Sequence, residues 1–298
     1  MQEFAFELLI LFLAVFLDLI FAEPPLFLHP VFWLGKIIGT FEKFFNAIEK
    51  RGNAIQFLYG VIANLTVLSF ALILVFLPLP QPIQFAWHTY LLFCTISIKS
   101  MIQHANRCIK TNFAPAEVQK IVSRDTKKLS KPQLRSAVIE STAENYVDGV
   151  FSPLFYFAIF GITGAVIYRA INLCDSMIGY RGRYEFFGKF SARLDDLANF
   201  LPARIALFFF EIFKRNAFSY GLKNRVKLNG CTISAMSYVL GVKLEKPGYY
   251  LLPGRDPEDQ DVIKTLGIFK KLSIIAILFA IAFTTIRIFL LTHIQLIP

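Results

Sequence analysis

Four stretches of the chain are almost unbroken apolar runs: Phe4 to Ala22, Ile55 to Leu77, Leu79 to Ile98 and Leu272 to Leu291. Each has 19 to 23 residues, enough as a helix to cross a hydrocarbon core of about 30 Å. The pattern therefore predicts four spanning helices. Two further apolar windows, Val150 to Tyr168 and Leu197 to Phe213, are followed at once by charged residues. They read as a re-entrant or protein-buried helical pair, with breaks permitted at Ser152-Pro153 and at Gly161 with Gly164. Between the first two spans, FAEPPLFLHPVFWLGKIIGTFEKF reads as a Pro-punctuated loop entering a short amphipathic helix at the membrane interface. PLPQPIQ reads as a tight outer turn, and EKPGYYLLPGRDPEDQD as a loop that hands over to the last span through Lys270-Lys271. Strand alternation is weak and no repeat is present, so the expected fold is all-α: a single polytopic membrane domain whose region 99–271 faces the cytoplasm.

Composition agrees. The 298 residues are 55% hydrophobic and the mean hydropathy is +0.54, beyond the range of ordinary soluble domains. The net charge of +10 is informative mainly through its placement. Every Lys and Arg lies within Lys36 to Arg51, within Lys99 to Lys271, or at Arg287. With the N-terminus outside and four crossings, 30 of the 31 fall on the cytoplasmic side, a strong positive-inside signal. A simple crossing at Val150 to Tyr168 would instead strand Arg169, Arg181, Arg183, Lys189 and Arg193 outside. No nucleic-acid motif is present and the aromatics sit in apolar windows, so anionic headgroups and phosphorylated substrates are the expected partners of the basic surface. Cys94, Cys108, Cys174 and Cys231 show no paired spacing and predict buried thiols rather than a disulfide or a zinc site.

Candidate chemistry concentrates in four polar clusters. KSMIQHANR carries Lys99, His104 and Arg107, with His104 either a general base or a hydrogen-bonded structural group. IVSRDTKKL carries Arg124 and Asp125 in a compact charged turn. AVIESTAENYVDGVFSPL sets Glu140, Glu144 and Asp148 at i, i+4, i+8, flanked by Ser141 and Asn145. On one helical face such like charges repel unless a cation lies among them, so the stack reads as an oxygen-rich Mg2+ site or as a solvated face. The fourth cluster, NLCDSMIGYRGRYEFFGKFSARLDDLANFLPAR, holds Asn172, Asp175, Arg181, Arg193, Asp195, Asp196, Asn199 and Arg204. Carboxylates that hold Mg2+ beside arginines that fork onto phosphate would make a metal-phosphate site; a network of ion pairs tying helices together is the structural alternative. No P-loop or Rossmann fingerprint is present.

The runs SRDTKKL, ESTAENYVDGVFSPLFY and AINLCDSMIGYRGRYEFFGKFSARLDDLANFLPAR resemble, in order, the adenosylcobinamide-phosphate synthase family of cobalamin biosynthesis (CobD/CbiB). The likeness is dense from Lys99 to Arg204 and looser at Asp18, His29-Pro30-Val31 and Gly35. It implies a multi-pass inner-membrane enzyme with its active site toward the cytoplasm. Such an enzyme joins adenosylcobyric acid to (R)-1-aminopropan-2-ol or its phosphate by ATP-driven amide formation with Mg2+, alongside other corrinoid-pathway enzymes. On this resemblance Glu140, Glu144, Asp148, Asp175, Asp195 and Asp196 become candidate metal ligands or amine-binding acids, with Glu140, Glu144, Asp148 and Asp196 as the Mg2+ set. Lys99, Arg124, Arg181, Arg193 and Arg204 become clamps for phosphate or corrin carboxylates, and Asn145, Asn172 and Asn199 orient substrate amides. Two departures stand out. Ala22-Glu23-Pro24 replaces the family's usual Gly-Asp-Pro, and RVKLNG around Asn229-Gly230 stands where a His-x-Ser-Pro-Asn-Ala-Gly run is usual. A non-enzymatic AmpE-like membrane sensor is the rival reading. The UbiA-type prenyltransferase pattern is not met, because the Asn-to-Asp spacings at Asn145/Asp148 and Asn172/Asp175 are too short.

Overall fold

The computed structural model describes residues 2–180 and 182–294. In chain order the helices are α1 (Gln2–Phe21), α2 (Pro30–Phe44), α3 (Asn53–Val75), α4 (Gln81–Phe93), α5 (Ile98–Lys110) and α6 (Pro115–Val118). They continue as α7 (Lys131–Tyr146), α8 (Ser152–Ile178), α9 (Lys189–Ala198), α10 (Phe200–Phe208), α11 (Ala217–Lys223), α12 (Cys231–Leu240) and α13 (Asp259–Ile294). A two-stranded antiparallel hairpin, β1 (Leu244–Lys246) with β2 (Tyr250–Leu252), is the single sheet among the described residues. Three helical stretches among the described residues are long and apolar enough to cross a membrane: Asn53–Val75, Lys131–Ile178 and Asp259–Thr292. Phe12, Phe16, Leu58, Leu65, Ile73, Leu278 and Phe289 are large apolar side chains left exposed along α1, α3 and α13. In water such faces would aggregate, whereas against acyl chains they are at home, which makes this a membrane protein.

The chain divides into two compact units. Unit 1 comprises Met1–Ile96, Ser152–Ala198 and Phe279–Pro298. Its core is built on two stripes of i, i+4 period: Ala63, Val67, Ala71 and Val75 on α3, and Val166, Ala170, Cys174 and Ile178 on α8. Small and β-branched residues on the facing stripes let the helices approach closely, the packing that replaces a hydrophobic driving force inside lipid. Leu34 and Ile38 of α2 join the same core, as do Phe45 and Phe187, whose rings stack at 4.7 Å. Gly60 extends the α3 stripe to the point where the Phe187 carbonyl crosses; an added Cβ there would lie 1.9 Å from that oxygen. Midway along α8, Gly161 departs from helical geometry at φ 64°, ψ −156°, a conformation glycine adopts readily. The carbonyl of Phe157, four residues earlier, accepts from Nη1 of Arg287 at 3.4 Å, and Arg287 also pairs with Glu7.

Unit 2 comprises Ser97–Phe151 and Asn199–Leu278. Pro132 and a Ser130/Gln133 capping box start α7, on which α12 and β1 pack. Tyr146, Phe151 and Phe210 form a fully buried aromatic cluster, with Phe151 and Phe210 centred 6.1 and 6.2 Å from Tyr146. A π-helical turn at Val147–Phe151 follows α7.

Several expectations are corrected. Leu79 to Ile98 is not one helix of spanning length: α4 has 13 residues, and a turn at Cys94–Ser97 precedes α5. Thr95 and Ser97 explain the stop, since their hydroxyls bond to the carbonyls of Leu92 and Gly149. The window Val150 to Tyr168 belongs to a stretch long and apolar enough to span, broken at Gly161 as foreseen. Leu197 to Phe213 is split at Asn199 into α9, α10 and a terminal 3-10 turn. The last helix begins at Asp259, so Lys270-Lys271 lie inside it. The loop EKPGYYLLPGRDPEDQD contains the hairpin, its turn completed by Gly248 at φ 79°.

Candidate functional site

In unit 1, a cleft of about 630 Å³ opens between the start of α2 and α8. Pro30 occupies the first helical position of α2, where no amide hydrogen is needed, and His29 caps the helix by accepting from the Val31 N–H through Nδ1 at 3.2 Å. Arg169, Leu173 and Met177, at i, i+4, i+8 on α8, form the opposite wall. Gly35 faces that wall closely: a Cβ there would sit 3.5 Å from the Met177 sulfur. Lys36, whose ammonium lies 5.1 Å over the Phe32 ring, and Lys43 add positive charge at the exposed rim. Glu23 and Glu42 add negative charge, and Glu42 accepts from the Tyr184 hydroxyl at 2.7 Å. Arg169 donates through Nη1 to Asn172 Oδ1 at 3.2 Å, and Asn172 donates in turn to Asp195 Oδ1 at 3.3 Å. The Arg169 Nε is buried without a hydrogen-bond partner.

Burial holds the His29 imidazole below the usual histidine range; nearby Arg169 acts the same way and Glu23 opposes it. In the unfolded chain the group regains an ordinary value of about 6.5, so the unfolded state takes up a proton first as pH falls. The neutral-His29 contribution to stability is therefore present above about pH 6.5 and is lost as pH falls through the depressed native value. The thermal midpoint in detergent is expected to decline over that window. In His29→Asn, which keeps an acceptor for the Val31 N–H, the slope should be shallower; an unchanged slope would assign the decline to other groups.

In unit 2 Glu140 and Glu144 of α7 have different partners. Glu140 is buried and takes three donors: Arg124 Nη2 at 2.8 Å, Ser136 Oγ at 2.7 Å and the Tyr250 hydroxyl. Burial, with the Glu140 carboxylate adding to it, pushes the Tyr250 phenol above the usual tyrosine range. Arg124 also donates to the Glu245 carbonyl at 3.1 Å, and Ser136 Oγ accepts from the Glu245 N–H at 2.9 Å, so the network pins the hairpin to α7. Glu144 pairs with Lys227. Lys246 lies near both; burial lowers its ammonium below the usual lysine range, and Glu144 pulls the other way. Asp148 lies in the π turn that follows α7. Asn145 exchanges hydrogen bonds with Ser97, and the two close over Gly149, where an added Cβ would meet Ser97 Oγ at 2.1 Å.

These partnerships bear on Mg2+. Among the described residues no three His, Cys, Asp or Glu side chains gather as a metal-holding group. Glu140 already accepts from three donors and Glu144 from a lysine. Asp196 lies 4.0 Å from Arg193 one turn back, with the arginine largely exposed.

The other candidates are scattered. Lys99 and His104 sit half-buried on α5, and Asp125 accepts from the Lys127 N–H at 3.0 Å in a local turn. Asp175 is on α8, and Asn199 is buried where α9 ends. Arg204 lies 3.7 Å over the Phe200 ring and donates to Asn229 Oδ1 at 2.9 Å, anchoring the divergent 225–230 loop. Arg181 lies outside the described residues. The sequence reading left Arg169, Lys227, Lys246 and Tyr250 without roles. Arg169 was legible as the head of an i, i+4, i+8 row with Leu173 and Met177; nothing in the local pattern around Tyr250 points to Glu140, 110 positions away.

Fold and site together define a helical membrane protein with a cationic cleft in one unit and a buried acid–arginine–tyrosine network in the other. The family model for the CobD/CbiB protein matches residues 11–289, and the chain belongs to that family. A probable cobalamin biosynthesis protein CobD of Archaeoglobus fulgidus is 55% identical over 290 residues, covering 97% of this chain and 99% of its own. The probable CobD of Pyrococcus furiosus is 47% identical over 86% of this chain and 92% of its own length. The cobalamin biosynthesis protein CobD of Dehalococcoides mccartyi is 36% identical over 82% and 86%. No solved structure matches the chain.

Proposed function

We propose that the chain is a membrane enzyme of cobalamin biosynthesis. It joins a propionate carboxyl of adenosylcobyric acid to the amine of (R)-1-aminopropan-2-ol or its phosphate, and ATP drives the amide formation. The observation that carries this reading is the family match over residues 11–289, reinforced by relatives named for cobalamin biosynthesis. A carboxylate is a poor electrophile. One of its oxygens attacks the γ-phosphorus of ATP and ADP leaves, giving an acyl phosphate; the amine nitrogen then attacks the acyl carbon, phosphate leaves and the ammonium proton is lost. The residues present support such a step. Arg169, held by Asn172, offers a guanidinium to anionic oxygens, and exposed Glu23 offers a carboxylate to an amine. Lys246, whose ammonium burial lowers below the usual lysine range, is proposed as a group that could give up a proton in unit 2. Magnesium is proposed to arrive with the nucleotide, since the α7 carboxylates are otherwise engaged.

The site is proposed to face the cytoplasm across the inner membrane, the side to which the basic residues point. Purified protein in detergent, given ATP, Mg2+, adenosylcobyric acid and labelled aminopropanol or its phosphate, is expected to yield labelled adenosylcobinamide or its phosphate. Inverted membrane vesicles should use added ATP and right-side-out vesicles should not. Saturable binding of corrinoid with no product, under conditions where a related enzyme turns over, would make the protein a sensor instead.

A further inference from the structure

The unit 1 cleft contains a donor that the folded chain leaves unused. Arg169 lines it, and its Nε is buried without a hydrogen-bond partner, a costly arrangement unless another molecule supplies the acceptor. The guanidinium is held in place, because Nη1 is committed to Asn172 and Asn172 is braced on Asp195. A second donor follows from the helix cap. His29 Nδ1 accepts the Val31 N–H, so the neutral ring must carry its proton on Nε2. Lys36 and Lys43 supply charge at the rim, while Leu173 and Met177 make an apolar wall. With Glu42 occupied by Tyr184, cations outnumber the carboxylates still open to a ligand. A forked guanidinium, a second neutral donor and an ammonium beside an apolar wall describe the recognition of phosphate bearing a carbon group.

We infer that this cleft is a phosphate-ester site, in which Arg169 and Lys36 take the phosphate oxygens, His29 Nε2–H is the further donor, and Leu173 and Met177 receive the ester's carbon portion. The inference deepens the amide-forming reading and rests on it for which ester the cell supplies, a nucleotide or a phosphorylated amino alcohol. A phospholipid headgroup presents the same chemistry, and the test separates the sources.

Full-length protein in detergent is titrated calorimetrically with inorganic phosphate, ATP and phosphorylated aminopropanol. Phosphatidylglycerol is compared with phosphatidylcholine in nanodiscs. A soluble ester is expected to bind more tightly than inorganic phosphate. Binding should weaken roughly tenfold in Arg169→Gln and roughly threefold in His29→Asn, which retains the cap but lacks the remote N–H. Arg169→Lys keeps a buried positive charge and guards against a variant that merely misfolds; it is expected to retain the melting midpoint and lose most of the affinity that the fork provides. Selective binding of phosphatidylglycerol with the same variant sensitivity, and none of the soluble esters, would make the ester a lipid. Failure of all the phosphates to bind, or binding that neither Arg169 variant alters, overturns the site. Product formation assayed in parallel keeps the readings apart: variant-sensitive binding without amide product sinks the ligase and leaves the site, and product with variant-insensitive binding does the reverse.

Discussion

Replacing Glu140 with glutamine is expected to cost about 3 kcal/mol of stability, the lower end of what breaking a buried ion pair costs when the partner charge remains. The partner here is Arg124, 13% exposed against 6% for Glu140. Glutamine keeps the shape but has a single acceptor oxygen, so it can accept from Ser136, which meets Oε1, or from Tyr250, which meets Oε2, and the loss combines the charge with one hydrogen bond. Arg124→Gln should destabilise by a similar amount, because it leaves a carboxylate buried without its cation. The double variant should lose clearly less than the sum, since both charges then leave together. Tyr250→Phe removes a single hydrogen bond and is expected to cost about 1 kcal/mol. Denaturant or thermal midpoints of the four proteins in one detergent provide the measurement. Strict additivity of the Glu140 and Arg124 losses would show that the pair is not coupled in solution.

The second large effect is expected at Gly60. An added methyl group would lie 1.9 Å from the Phe187 carbonyl oxygen and 2.9 Å from its carbon, so main chain, not a yielding side chain, must move. Overpacking typically costs 1–3 kcal/mol, and a backbone obstacle places Gly60→Ala at about 3 kcal/mol. Phe187 is stacked on Phe45 and tilted against Tyr59, so the displacement passes into the unit 1 aromatic core. Gly267→Ala is the control. Nothing lies within 4 Å of its Cβ position, and alanine gains helix propensity of up to about 1 kcal/mol there. Midpoints that fall for Gly60→Ala and hold or rise for Gly267→Ala are the expected result; equal shifts would contradict the close approach.

The outcome separates what composition and period reveal from what tertiary context decides. The apolar run Ile55 to Leu77 places α3 within two residues at each end, because a run of spanning length in lipid has few alternatives to a helix. The same reading overran α4, where polar Thr95 and Ser97 are too few to lower hydropathy yet turn the backbone through their own hydroxyls. It missed the hairpin because three-residue strands are too short to show alternation. The carboxylate row on α7 was visible as a pattern, but its meaning lay in distant partners. Arg124 is 16 residues from Glu140, Tyr250 is 110, and Lys227 is 83 from Glu144. Glu140 and Glu144, one turn apart on α7, pair with different cations, and spacing along one helix carries no information about which cations arrive from elsewhere.

The pairing of Glu7 with Arg287 spans 280 positions, and the Phe157 carbonyl accepts from that same arginine. Arg287 is the last of these groups to be synthesised, so unit 1 cannot be finished by its early helices, and a chain cut short before the last helix would leave the Glu7 carboxylate and the Phe157 carbonyl without this donor.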